Sequence, residues 1–216
     1  MSREEMMKRM KVVGMEPAKQ GFEEGKTDWF CFLGHFGNWE WVASLQYWVD
    51  YAQCSQIYHP LYNRVMDMVF LKVRSKYGGI NIPMKVAVRT LVKYRMEGKK
   101  IICGFISDQL PKWENIHHFT PFLNHETAVF TGGEVMGKKF DAMMYYARVT
   151  KPKRGHYVFE AIPLFHDSKD VSDFEVTDKF MQFLEEDIRL HPELWLWTHK
   201  RWRRTKEEWL QRQSKQ

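Results

Sequence analysis

The sequence predicts an α/β fold: a single domain over residues 1–216, with a mostly parallel central sheet flanked by helices. Two observations carry that reading. The runs Trp29-Phe30-Cys31-Phe32-Leu33 and Ile101-Ile102-Cys103-Gly104-Phe105-Ile106 are continuously apolar, the character of strands buried on both faces. Around them apolar residues recur at helical spacing, so strand, helix and strand alternate as a crossover-built sheet requires. No repeat, linker or low-complexity segment divides the chain.

Residues 1–25 read as a helical N-terminal connector: a polar helix over 4–13, a turn at 14–17, then a Gly- and Glu-rich stretch. A strand follows over 28–33. After Gly34, residues Trp41, Val42, Leu45, Trp48, Val49 and Ala52 fall on one helical face, which predicts a helix through Tyr51. A short strand over 54–58 leads to a loop at 59–63, because Pro60 disfavours helix at His59. A strongly apolar helix over 64–77 is stopped by Gly78-Gly79. Pro83 suits the first turn of the next helix, which runs to Gly98. The strand over 101–106 empties into the polar loop Ser107-Asp108-Gln109-Leu110-Pro111. Residues 112–125 read as loop, and a short helix starting near Thr127 holds Thr131-Gly132-Gly133. Strands over 143–149 and 157–164 are joined by the basic turn Lys151-Pro152-Lys153-Arg154-Gly155. An amphipathic helix spans 173–190, with Phe174, Val176, Phe180, Met181, Leu184 and Ile188 inward. Residues 206–216 form a charged, frayed tail.

Composition narrows the partners. A formal charge of +6 over 216 residues suggests an acidic one: nucleic acid, an anionic membrane surface or an acidic carrier protein. A merely basic protein satisfies the number equally well. Cys31, Cys54 and Cys103 sit in apolar runs without metal-ligand spacing and read as reduced core residues. No stretch approaches the roughly 18–20 apolar residues of a membrane-spanning helix. The first residues lack the apolar core of a signal peptide. Any membrane contact of this chain is therefore expected to be peripheral.

The stretch Gly34-His35-Phe36-Gly37-Asn38-Trp39-Glu40 places a histidine and a glutamate at a strand-to-helix junction, where open α/β sheets position ligands and catalytic groups. A five-residue step on a continuous helix turns about 140°. The two side chains can therefore meet only with His35 on the turn and Glu40 in the first helical turn. A carboxylate-held imidazole is an efficient general base. The plainer reading is a satisfied turn histidine and an N-terminal capping acid. Asp108 also ends a buried run, and if the two strands are parallel it faces the same crevice as His35. Otherwise it simply initiates a loop. Arg74 lies in an apolar helix, where a cation needs a carboxylate, a phosphate or a developing oxyanion, unless it is solvated beside Lys72 and Lys76. Neither His125-Glu126 nor His117-His118 has the partners of a zinc site, so no metal or cofactor is expected. There is no phosphate-cradling glycine loop and no nucleophile elbow. The aromatic and basic tail 195–204 could stack on bases, but a nucleic-acid partner is the weakest reading. Its Trp195 and Trp197 fit a core equally well, with the basic residues at a headgroup surface.

Taken together, these motifs resemble the bacterial lipid A biosynthesis (late, or secondary, lauroyl/myristoyl) acyltransferase family, within the His-x4-Asp/Glu glycerolipid-type acyltransferases. His35 to Glu40 matches the signature. Tyr58-His59-Pro60-Leu61 resembles a Tyr-Arg-Pro segment, Ser107-Asp108-Gln109 an Ala-Asp-Gln loop, and Thr131-Gly132 a Thr-Gly helix start. Arg74 falls where the family has an arginine after an apolar helix. Glu193-Leu194-Trp195-Leu196-Trp197-Thr198-His199-Lys200-Arg201-Trp202 resembles the C-terminal motif. His59 in place of arginine, Leu123-Asn124 in place of Phe-Gly, and a short N-terminus mark a divergent or N-terminally truncated member.

The resemblance implies transfer of a fatty acyl chain from an acyl carrier protein thioester to a hydroxyl of a lipid A precursor. It implies His35 and Glu40 as the general-base dyad. Arg74, Asp108, Asn38, Thr131 and Arg201 are then expected to bind substrate. The setting implied is the cytoplasmic face of the bacterial inner membrane. An aminolipid, glycolipid or lysophospholipid acceptor would suit the same site, and a non-catalytic lipid-binding module is the reading from a different class. The basic residues at 151–154 and 200–204 are the surfaces expected to meet phosphates or headgroups.

Overall fold

A computed structural model describes residues 1–214. Its nine strands are β1 (Met10–Val13), β2 (Asp28–Leu33), β3 (Gln53–Tyr58), β4 (Ile80–Pro83), β5 (Ile101–Ile106), β6 (Phe119–Phe122), β7 (His125–Ala128), β8 (Met143–Lys153) and β9 (His156–Phe165). Seven of them form one sheet in the order β1-β9-β8-β2-β5-β3-β4. Every neighbouring pair in it is parallel except the hairpin β8–β9. Seven α-helices surround it: α1 (Arg3–Arg9), α2 (Glu16–Glu23), α3 (Arg64–Ser75), α4 (Ala87–Met96), α5 (Gly132–Phe140), α6 (Glu175–Leu190) and α7 (Lys206–Gln213). The mostly parallel α/β architecture is the one the apolar runs predict.

The central strands explain themselves through the two-residue period of β structure. Phe30 and Phe32 of β2 join Ile101, Cys103 and Phe105 of β5 in a core closed by α4, α5 and α6. Trp29, Cys31 and Leu33 point the other way, with Ile102, into a core that includes Met6 of α1 and Ala18 and Phe22 of α2. All six residues of β2 are buried, so its sequence cannot alternate. Cys31, Cys54 and Cys103 are free and buried among these side chains, and burial pushes the Cys54 and Cys103 thiols up to about 12.

Several elements differ from expectation. The helix expected over 4–13 ends at Arg9, and Met10–Val13 instead adds β1 to the sheet edge beside β9. There Gly14 (φ +75°) passes so close to the Ala161 backbone that a side chain would collide with it. The helix expected after Gly34 is a 3-10 helix over Trp39–Tyr47, whose turns close by bonds such as Trp48 N–H to the Leu45 carbonyl. Within it the Ser44 hydroxyl donates to the Trp41 carbonyl, a local bond that competes with α-helical pairing. Pro83, expected in the first turn of a helix, instead ends the strand Ile80–Pro83, which pairs with β3 as the opposite sheet edge. Residues around Thr127 form a β-hairpin, β6–β7, rather than a helix. Leu123 and Asn124 supply its two positive-φ turn positions, and the helix begins at Gly132. The basic turn shrinks to Arg154-Gly155, because pairing of β8 and β9 extends to Lys153 and His156. The expected frayed tail is helical from Lys206 to Gln213, capped by the Thr205 side chain, while residues 215–216 lie outside the described residues.

Candidate active site

The site forms where two parallel neighbours end. β2 and β5 pair in register up to Leu33 and Ile106, and the Ser107 N–H continues the ladder by donating to the Leu33 carbonyl at 3.1 Å. Two residues past each register partner stand His35 and Asp108, so pairing alone brings them side by side. The His35 backbone N–H donates to Asp108 Oδ2 at 2.9 Å. Its ring Nδ1 lies 2.6 Å from Asp108 Oδ1. An ionised carboxylate only accepts hydrogen bonds, so Nδ1 carries the proton and Nε2 is left as the basic nitrogen. Gln109 Nε2 lies 3.4 Å from that nitrogen. The indole of Trp39 packs edge-on to the imidazole at 5.2 Å between ring centres.

The turn carrying His35 is clamped from the C-terminal side. Gly37 N–H donates to the Leu194 carbonyl, and Leu196 N–H donates to the His35 carbonyl. Phe36 and Trp195 thus form an isolated antiparallel bridge. This places the Trp195 indole N–H 2.9 Å from Asp108 Oδ2. Asp108 is 2% exposed. Burial alone would raise its pKa, but the His35 ring, the Trp195 indole and the His35 N–H together hold it below the usual carboxylate value.

His35 and Glu40 occupy the turn and the first helical turn, as their meeting would need, yet no hydrogen bond among the described residues joins them. Both Glu40 oxygens instead take a fork from Arg74: Nε to Oε2 at 3.0 Å and Nη2 to Oε1 at 2.6 Å. The expected pairing is thus exchanged, with Asp108 holding His35 and Glu40 holding Arg74. Asn38 stands at the head of the 3-10 helix, and its carbonyl accepts from Trp41 N–H. Thr131 is buried at the head of α5, apart from the His35–Asp108 hydrogen bonds, and its carbonyl accepts from Val135 N–H.

Arg201, expected at a headgroup surface, is 1% exposed. None of its three guanidinium nitrogens has a hydrogen-bond partner among the described residues. Burial brings its pKa down to about 10, and the Asp108 charge pulls the other way. Its chain neighbour Trp202 lies over the β6–β7 hairpin and donates its indole N–H to Thr127 Oγ1. The flanking Lys200 and Arg203 remain exposed, as do the residues at 151–154. His199 was not singled out in the sequence. Its Nε2 accepts from Leu110 N–H at 3.0 Å in the loop beyond Asp108, and burial followed by the charge of Arg201 lowers its pKa. Trp195 and Gln109 also escaped individual notice as site residues. The signal for all three was the density of Trp and His in 195–199 and the polar run after Ile106. Among the described residues, no three His, Cys, Asp or Glu side chains gather as metal ligands.

The arrangement can take a proton from a hydroxyl at His35 Nε2 and stabilise the resulting imidazolium through Asp108. In comparison with protein families, the family described as bacterial lipid A biosynthesis acyltransferase matches residues 1–204 of the 216. Comparison with curated proteins gave no match.

Proposed function

We propose that this chain, which belongs to the bacterial lipid A biosynthesis acyltransferase family, moves a fatty acyl group from an acyl carrier protein thioester to a hydroxyl of a lipid A precursor. The observation that carries the reading is the buried Asp108 carboxylate bonded to His35 Nδ1 at the open end of β2 and β5. His35 Nε2 takes the hydroxyl proton, and the oxygen attacks the thioester carbonyl carbon. Asp108 keeps the imidazole in the tautomer that leaves Nε2 free, and stabilises its charge. As the tetrahedral intermediate collapses, the C–S bond breaks and the imidazolium returns its proton to the leaving thiolate.

Arg74, fixed by Glu40, and the unpartnered Arg201 are the cations suited to the oxyanion and to the phosphates of the acceptor. Glu40 therefore acts in this reading through Arg74, as a positioning residue. The chain's formal charge of +6 suits an acidic carrier protein as donor and an anionic membrane face, the cytoplasmic side of the inner membrane, as workplace.

The experiment is to incubate the purified chain with acyl carrier protein thioester and a lipid A precursor. The precursor should gain the mass of one acyl chain, and should not with the His35→Ala variant. A precursor left unchanged by the wild-type chain, while another lipid hydroxyl is acylated, would move the acceptor assignment. No thioester consumption at all would overturn the reading.

A further inference from the structure

The helix α3 is mounted inside out. None of its twelve residues is buried. At about 100° per residue, Val65, Met66, Val69, Phe70 and Val73 share one face, and every one of them is exposed, Val65 at 63%. The face turned to the rest of the protein carries Asp67, Leu71 and Arg74, of which Arg74 reaches Glu40 and Asp67 accepts from Leu61 N–H. The loop before the helix adds exposed Leu61 and a fully exposed Tyr62. In water an apolar stripe about 12 Å long (eight rises of 1.5 Å from Val65 to Val73) is unfavourable unless something covers it.

We propose that α3 and the Leu61-Tyr62 loop lie in the headgroup region of an anionic bilayer, with the apolar stripe inserted and the helix axis in the membrane plane. The charge distribution selects this occupant. Lys72 and the C-capping Lys76 are exposed on the flank of that stripe, and neither is ion-paired among the described residues. The helix's one carboxylate, Asp67, is turned inward. An exposed apolar face edged by free cations is the pattern of a helix held by acyl chains below and lipid phosphates beside it. The opposite face of the same helix holds the Arg74–Glu40 pair, so docking by α3 sets the active site at the depth of the headgroups.

The test is co-sedimentation of the whole chain with vesicles of mixed phosphatidylglycerol and phosphatidylcholine, and with phosphatidylcholine alone. The wild-type chain should bind the anionic vesicles and release as salt rises. The exposed-face variant V65S/V69S/V73S should bind at least tenfold more weakly, with an unchanged melting temperature and unchanged discharge of acyl carrier protein thioester to water. Wild-type binding retained by that variant overturns the proposal, as does a wild-type chain that fails to bind. If the variant keeps vesicle binding but loses thioester discharge, the stripe belongs to the carrier protein. If it changes only self-association of the lipid-free chain, the stripe belongs to a second copy. Vesicle binding is read without any chemistry, so failure of the acyl-transfer reading and failure of this one are distinguishable.

Discussion

At Asp108 three donors converge on one buried carboxylate: the His35 ring, the His35 N–H and the Trp195 indole. The net effect lowers its pKa in the fold, so the unfolded chain binds the extra proton first as pH falls. The stabilisation is therefore fully present above about pH 4, the ordinary aspartate value, and is lost as pH drops through the lowered one. Asp108→Asn should destabilise the chain by roughly 2 kcal/mol at neutral pH, the scale of hydrogen bonds to a charged group. In denaturant titrations that deficit should shrink at acid pH, and a deficit that persists there would show that the carboxylate's charge is not what the site uses. Arg201 presents the opposite case, a buried cation with no hydrogen-bond partner among the described residues. Burying an unpaired charge is unfavourable, so Arg201→Met should raise the melting temperature by about 3 °C. The same change should slow transfer to an anionic acceptor at least tenfold. A lower melting temperature with unchanged transfer would make Arg201 a structural residue. The candidate status of His35, Asp108 and Arg74 could be read from chemistry at strand ends and in an apolar helix. Which carboxylate each would meet could not, because Glu40 is near His35 only in sequence whereas Asp108 is near it by sheet register.

The turn between β2 and the 3-10 helix holds its shape through two glycines. Gly37 has φ +61°, and a Cβ there would stand 2.8 Å from the Val149 carbonyl oxygen. A Cβ at Gly34 would press on Leu184 of α6 at 2.8 Å. Gly37→Ala combines left-handed strain with a backbone clash, so it should cost at least about 2 kcal/mol in chemical denaturation. It should also slow acyl transfer, because the same turn aims His35. Wild-type stability in this variant would mean that the turn is not the rigid mount described. Elements with a strong local signature were legible, namely β2, β5, α3 and α6. Those decided by distant pairing were not. β1 exists because β9 offers an edge and β4 because β3 does; β6–β7 is a local hairpin whose turn, Leu123-Asn124, carries no glycine to announce it. Met10–Val13 carries no period that separates a helix end from a four-residue strand.

Across the whole molecule, one sheet serves two ends. Its central parallel strands deliver His35 and Asp108 to a common edge, and the C-terminal segment folds back over them through Leu194, Trp195 and Leu196. Beside that edge α3 offers its inner face to Glu40 and its outer face to solvent. The family match over residues 1–204 spans all of these parts. The most direct test of the account is the rate of acyl transfer from acyl carrier protein thioester by His35→Ala, measured against wild type under saturating donor. General-base removal predicts a fall of about a hundredfold or more. Transfer at a near wild-type rate would contradict it.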